Sequence, residues 1–190
     1  MNYNNQTLND QESRRKSVKL KYYDYSTPGL YYITLCTHEK KHLFGCVKEE
    51  KMFLNQAGKM LVKWLLKIET KYDGIKCIHH QVMPNHLHGI IKISDKITEE
   101  EKDPNGSHKL FDIVNKPVSP TLFDVVGWFK TMSTNDYIWH VKNNGWKRFD
   151  KKLWQRSVYE HIIRDEEEYE HAVLYIERNP ERWGEDKYNK

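Results

Sequence analysis

Cysteine is scarce in this chain. There are three among 190 residues, Cys36, Cys46 and Cys77, and none forms a CxxC spacing. An odd, scattered set cannot pair completely, so no disulfide framework is expected; reduced thiols in a cytoplasmic protein fit better. Long apolar runs are also missing. Nothing approaches the roughly 20 residues of a membrane span, and no membrane partner is expected. The N-terminal "MNYNNQTLNDQESRRKSVKLK" has no apolar h-region, so no secretory signal is visible. No internal repeat is present either. A strong excess of one charge is absent too, since the formal net charge is only +4.

What is present is unevenly spread. "RRKSVKLK" (14–21) and "KRFDKKLWQR" (147–156) are basic, while "TEEEKD" and "RDEEEYE" are acidic. Aromatics make up 13% of the residues, and "WKRFDKKLWQR" interleaves them with cations. That mixture suits backbone phosphates and base stacking in single-stranded nucleic acid, and equally suits a solvated surface over an aromatic core.

The chain is long enough for one domain with a real core. Residues 1–20 are polar and aperiodic and read as a flexible basic arm. "LYYITLCT" reads as a strand after the Pro28-Gly29 turn. Helical spacing of Ala57, Met60, Leu61, Trp64, Leu65 and Ile68 predicts a helix capped by Asn55. "IKCIHHQVMP" and "HLHGIIKIS" predict two strands joined through Pro84-Asn85. Residues 94–120 hold three prolines and a charge run, and read as a long excursion. Thr121 caps a second expected helix with Leu122, Val125, Val126, Phe129 and Met132 on its stripe. "LWQRSVYEHIIR" predicts a fourth strand, and Asp165 caps a third helix stopped by Pro180. The order is β-α-β-β-α-β followed by α, which predicts an α+β, ferredoxin-like fold with a four-stranded antiparallel sheet. Residues 21–184 would form the single domain and 185–190 a tail.

"CIHHQVMPNHLHGIIKI" (77–93) carries four histidines. On a strand His86 and His88 face one way and Leu87 the other, about 6–7 Å apart at Cβ, close enough to converge on one cation. Alternation of polar and apolar residues is also what any half-exposed strand shows. Gly89 lets backbone or ligand approach. His79 and His80 point to opposite faces and read as ordinary strand residues. A histidine-triad hydrolase would need a third histidine where Ile90 stands. On the last helix Tyr169, Ala172, Val173 and Ile176 form the stripe. Tyr175 and Asn179 are spaced i, i+4 on its edge, with Glu168 on the same edge. A tyrosine so placed is ordinarily an amphipathic packing residue.

Taken in order, "YYITLCTHEKKHLFG", "VMPNHLHGIIKI" and "LWQRSVYEHIIRDEEEYEHAVLYIERNPERW" resemble the REP-associated tyrosine transposases. These belong to the single-tyrosine HUH transposase superfamily with the insertion-sequence 200/605 type. The resemblance runs from about Lys21 to Trp183. It implies that His86 and His88 are the metal-binding pair, with Leu87 the bulky residue between them. It further implies Tyr175 as nucleophile and Asn179 as third metal ligand; Tyr159 and Tyr169 are the competing tyrosines. The implied cofactor is Mg²⁺ or Mn²⁺, although two imidazoles alone favour softer metals. The implied reaction is cleavage and rejoining of single-stranded DNA through a 5′-phosphotyrosine at hairpin-forming sequences. From phosphate charge and base stacking, Arg14, Arg15, Lys19 and Lys21 on the arm and Trp154, Gln155 and Arg156 in the basic, aromatic stretch are candidate DNA contacts. Gln155 and Arg156 also match the family's "WQR", with a role at the sheet equally open for them. A homodimer, with the tyrosine in cis or in trans, is compatible, as is a cytoplasmic, nucleoid-associated location. Rival readings are a rolling-circle initiator or relaxase, a DNA-hairpin-binding protein without turnover, and an RNA-binding ferredoxin-like domain.

Overall fold

The computed structural model describes residue 20, residues 22–94 and residues 119–189. Arg14, Arg15, Lys19 and Lys21, and with them nearly all of the expected arm and excursion, lie outside the described residues.

The elements are β1 (Gly29–Cys36), β2 (Gly45–Lys48), β3 (Lys51–Leu54), α1 (Gln56–Lys71), β4 (Ile75–Val82), β5 (His86–Ile93), α2 (Leu122–Asn143), β6 (Tyr159–Ile163) and α3 (Glu166–Glu177). Four strands form an antiparallel sheet in the order β4-β5-β1-β6. Because α1 joins β1 to β4 and α2 joins β5 to β6, the sheet follows the expected β-α-β-β-α-β path. All three expected caps are made. Asn55 accepts from the Gly58 N–H at 3.0 Å, Thr121 forms a capping box with Asp124, and Asp165 accepts from the Glu168 N–H at 2.8 Å.

Strand alternation divides the core into two unequal parts. Tyr31, Ile33 and Leu35 of β1 and Leu87, Ile91 and Ile93 of β5 pack on Leu61, Leu65 and Ile68 of α1 and Val125 and Phe129 of α2. The opposite face carries a small cluster, Tyr32, Ile90, Ile163 and Ile176, under α3. Register sets Thr34 across from His88 and Tyr32 across from Ile90, so both histidines lie on the α3 face. Phe129 is among the largest fully buried side chains. Its replacement by alanine is expected to cost about 3–5 kcal/mol, read as a lower urea midpoint.

Several local expectations are corrected. A β2–β3 ribbon interrupts the β1–α1 connection; its two-residue turn puts Glu49 and Glu50 at φ of 49° and 60°, a type I′ hairpin without the usual Asn or Gly. On α2 the buried face turns toward Ser133 and Tyr137, leaving Met132 half-buried. The fourth strand begins only at Tyr159. Before it, the Lys130 ammonium donates to the carbonyls of Gln155 (3.0 Å), Arg156 (3.3 Å) and Ser157 (3.3 Å) and fixes an extended connector; burial pushes that lysine down to about 8. Gly89 faces away from the histidines. A Cβ at Gly89 would lie 3.4 Å from Cys77 Sγ and from the His79 carbonyl, beside the β-bulge between Cys77 and His79, so its open side meets β4 and not the histidine pair. No described helix is long and apolar enough to cross a membrane.

Candidate metal centre and tyrosine site

The turn that delivers the histidines is pinned from several directions. The Pro84 carbonyl accepts from the N–H groups of Leu43 and Phe44, and the Asn85 carbonyl accepts from the Thr37 N–H and hydroxyl. The Asn85 amide donates to the carbonyls of Lys40 (3.1 Å) and Tyr188 (2.6 Å), which fixes its oxygen toward His86 Nδ1 at 2.8 Å. That oxygen can only accept, so His86 carries its hydrogen on Nδ1 and its Nε2 bears a lone pair. His88 Nδ1 contacts the Tyr32 hydroxyl at 2.6 Å and the Thr34 hydroxyl at 2.9 Å.

The two Nε2 atoms are 3.0 Å apart. Without a cation, His88 donates to His86. With the His88 hydrogen moved to Nδ1, where hydroxyls accept it, both lone pairs share one point. Their spacing suits neighbouring ligands on one ion with bonds of about 2.0–2.2 Å. Burial pushes His86 down to about 4, with Asp186 opposing, and holds His88 well below its usual range. Both are therefore neutral, as ligands must be. The sign for stability follows. An unfolded imidazole protonates near 6.5, whereas the folded pair resists until about 4 at His86. Stability is full above about pH 6.5 and is expected to fall toward pH 4, by up to about 1.4 kcal/mol per pH unit for each resistant histidine. Urea midpoints recorded in chelator from pH 8 to 4 check this; a flat profile would refute it.

Two oxygen-bearing side chains, Asn179 and Asp186, lie beside the histidines. Asn179 lies just beyond α3 and is buried; its amide donates to Asp186 Oδ2 at 3.2 Å and its side chain acts on His86, while its Oδ1 has no hydrogen-bond partner of good geometry. An orphaned buried oxygen is costly unless something electropositive meets it. Asp186 follows the short 3-10 turn Trp183–Glu185, and its Oδ2 is 3.8 Å from His86 Nε2. One ligand atom each from His86, His88 and Asp186 lies within 4.8 Å of the others. Two imidazoles, a carboxylate and an amide oxygen fit a divalent cation. The oxygens soften the preference for zinc or copper that the imidazoles alone would give.

Tyr175 stands at the edge of this cluster. Its ring centroid is 5.2 Å from that of His88 and 6.2 Å from that of Tyr32, and the residue is 37% exposed. It lines two clefts. One, of about 420 Å³, includes Tyr32, His88, Tyr159 and Glu168; the other, of about 400 Å³, includes Asn179, Arg182 and Asp186. Burial raises the phenol and Asp186 and Tyr188 add to this, while Lys187 and Arg182 oppose it. Of the rival tyrosines, Tyr169 bonds His79 Nε2 at 2.9 Å on β4, whereas Tyr159 shares the larger cleft.

The expected DNA contacts fare differently. Trp154 is a core residue, only 5% exposed, with its indole N–H on Ser133 Oγ at 3.0 Å; it has no free face for a base. Gln155 is tied to the end of β1, donating to the Thr37 carbonyl at 3.1 Å. Arg156 is exposed. Sequence reasoning missed Asp186, Lys187 and Tyr188, since the segment reads as a polar tail. The Tyr188 ring instead lies 4.8 Å from that of His86.

No protein-family model matches the chain. Among solved structures the chain is similar to a REP-associated tyrosine transposase bound to a REP hairpin, at 19% identity and a TM-score of 0.46 over 89% of this chain and 77% of that one. It is also similar to a putative transposase from Deinococcus radiodurans, at 18% identity and a TM-score of 0.43 over 84% of this chain and 95% of that one. A Haemophilus influenzae protein, described only as uncharacterized, is 35% identical over 173 residues, 91% of this chain and 92% of the relative. At that identity and coverage, the chain belongs to one family with the Haemophilus influenzae protein.

Proposed function

We propose that the protein is a metal-dependent single-stranded DNA nuclease of the HUH tyrosine class, a transposase that cleaves and rejoins DNA at hairpin-forming sequences. The observation that carries this reading is the meeting of four side chains named from the sequence. Tyr175 stands over His88, and the unpartnered oxygen of Asn179 is buried beside the amide–carboxylate pair that leads to His86.

His86, His88, Asn179 and Asp186 would hold the ion, Mg²⁺ or Mn²⁺. When bound, such an ion polarises the scissile phosphate and offsets charge on its oxygens. Tyr175 is the nucleophile. Its phenol oxygen forms a bond to phosphorus as the bond to the 3′-oxygen breaks, leaving a 5′-phosphotyrosine and a strand ending in a 3′-hydroxyl. The phenol proton is lost and the departing oxygen gains one. Attack by another 3′-hydroxyl reverses the exchange and rejoins DNA. Lys187 and Arg182, which line the smaller cleft with Tyr175, supply positive charge for the flanking phosphates.

Incubation with hairpin-bearing single-stranded DNA and Mn²⁺ or Mg²⁺, run on a denaturing gel, is expected to give a covalent protein–DNA adduct that chelator prevents. Binding of the hairpin with no adduct under any divalent ion would leave a binding protein without turnover.

A further inference from the structure

The larger cleft beside Tyr175 holds more than a nucleophile requires. Its walls include four tyrosines, Tyr32, Tyr159, Tyr175 and Tyr188, and Glu168 and Lys187 also line it. At about 420 Å³ it falls in the size range of small-molecule sites and has no room for a duplex. Tyr159 is 42% exposed, and the Lys187 ammonium lies 5.7 Å from its ring centroid and 4.9 Å from that of Tyr188.

We propose that this cleft binds one unpaired nucleobase next to the phosphate attacked by Tyr175, stacked on Tyr159, with an exocyclic amino group donating to Glu168. The inference rests on the tyrosine-nuclease reading and adds to it a base-sized subsite and a preference within it. Every base has a π-face, so an exposed tyrosine beside a phosphate site is a stacking platform. Lys187 occupies the tyrosine rings through an exposed cation–π contact, a weaker interaction than base stacking. An arriving base displaces the ammonium, which is then free to meet the adjoining phosphate.

Glu168 sets the preference. Its carboxylate accepts from the Arg164 N–H at 2.9 Å, the Arg164 guanidinium at 3.3 Å and His161 Nε2 at 3.3 Å. These donors hold its carboxyl below the usual range, so at neutral pH it only accepts. A carboxylate offers about four lone-pair positions, so roughly one remains for a ligand. An amino group of cytosine or adenine satisfies it, as acidic side chains do when they read the cytosine amine. The thymine carbonyl at the same place would be repelled.

The test is fluorescence anisotropy of end-labelled pentadeoxycytidylate, pentadeoxyadenylate and pentathymidylate with the full-length protein in chelator. The cytosine and adenine oligomers are expected to bind about tenfold more tightly than the thymine oligomer. Glu168→Gln, whose amide donates as well as accepts, should bring thymine within about twofold of the others. Tyr159→Ala should weaken all three about tenfold. Equal binding by the native protein, a preference unchanged in Glu168→Gln, or no effect of Tyr159→Ala would each overturn the proposal. If Glu168→Gln does not fold, the native comparison and the exposed Tyr159 variant still decide. No catalysis enters the measurement, so an adduct formed without base preference sinks the subsite alone, and a base preference without adduct sinks the nuclease reading alone.

Discussion

Tyr175→Phe is expected to abolish the covalent protein–DNA adduct, with strand cleavage falling by a factor on the order of 10⁴ or more, as when a covalent nucleophile is removed. Phenylalanine keeps the ring that packs edge-on against His88 and Tyr32, so the fold and the DNA affinity should change little. Only the oxygen that would carry the phosphoryl group is lost. The control is Tyr159→Phe, because Tyr159 is the other exposed tyrosine of the same cleft. That variant should retain the adduct. An adduct that survives Tyr175→Phe and disappears in Tyr159→Phe would transfer the nucleophile to β6 and sink the assignment.

The second large effect is expected at Asp186. Its carboxylate is positioned for two tasks: it lies 3.8 Å from His86 Nε2, and it accepts from the Asn179 amide, which leaves the Asn179 oxygen as the unused donor. Asp186→Ala removes a negative charge from a buried cluster and releases Asn179 at once. Titration of Mn²⁺ followed by electron paramagnetic resonance is expected to show affinity lower by at least 10–100-fold, the range for losing a group that orients metal ligands. Asp186→Asn keeps an acceptor for Asn179 without the charge, so it should fall between the two. Equal Mn²⁺ affinity in all three proteins would confine Asp186 to anchoring the Tyr188 N–H, which its Oδ1 accepts at 2.6 Å.

Much of this was legible because it is local. Asn55, Thr121 and Asp165 announce helix starts through their own side chains, and the structure makes each cap. His86 and His88 share a face because strand periodicity requires it. The failures lie where distant segments decide. Asp186 meets β5 across about 100 residues of chain, and nothing in "WGEDKYNK" marks its aspartate for burial. Trp154 sits among cations and reads as a surface aromatic. Its indole is nevertheless drawn inward by a hydroxyl on α2, and it pairs with Thr37 in an isolated bridge. The β2–β3 ribbon was hidden because two glutamates occupy its left-handed turn, where asparagine or glycine gives the usual signal. Gly89 reads as an opening for a ligand, but its open side meets Cys77 and His79 of the neighbouring strand.

The unequal halves of the core have a consequence for local opening. α1 and α2 are anchored by an extensive apolar layer, whereas among the described residues the cluster under α3 has four buried members, Tyr32, Ile90, Ile163 and Ile176, with Tyr169, Ala172 and Val173 partly buried against it. Opening free energies in a native protein scale with such burial, so α3 lifts at lower cost than the rest of the molecule unfolds. The seam that parts most readily is the one with the tyrosine on one side and the histidines on the other. Under the proposed function, a fluctuation of that one helix would admit a DNA strand and release a joined product while the main core stays intact.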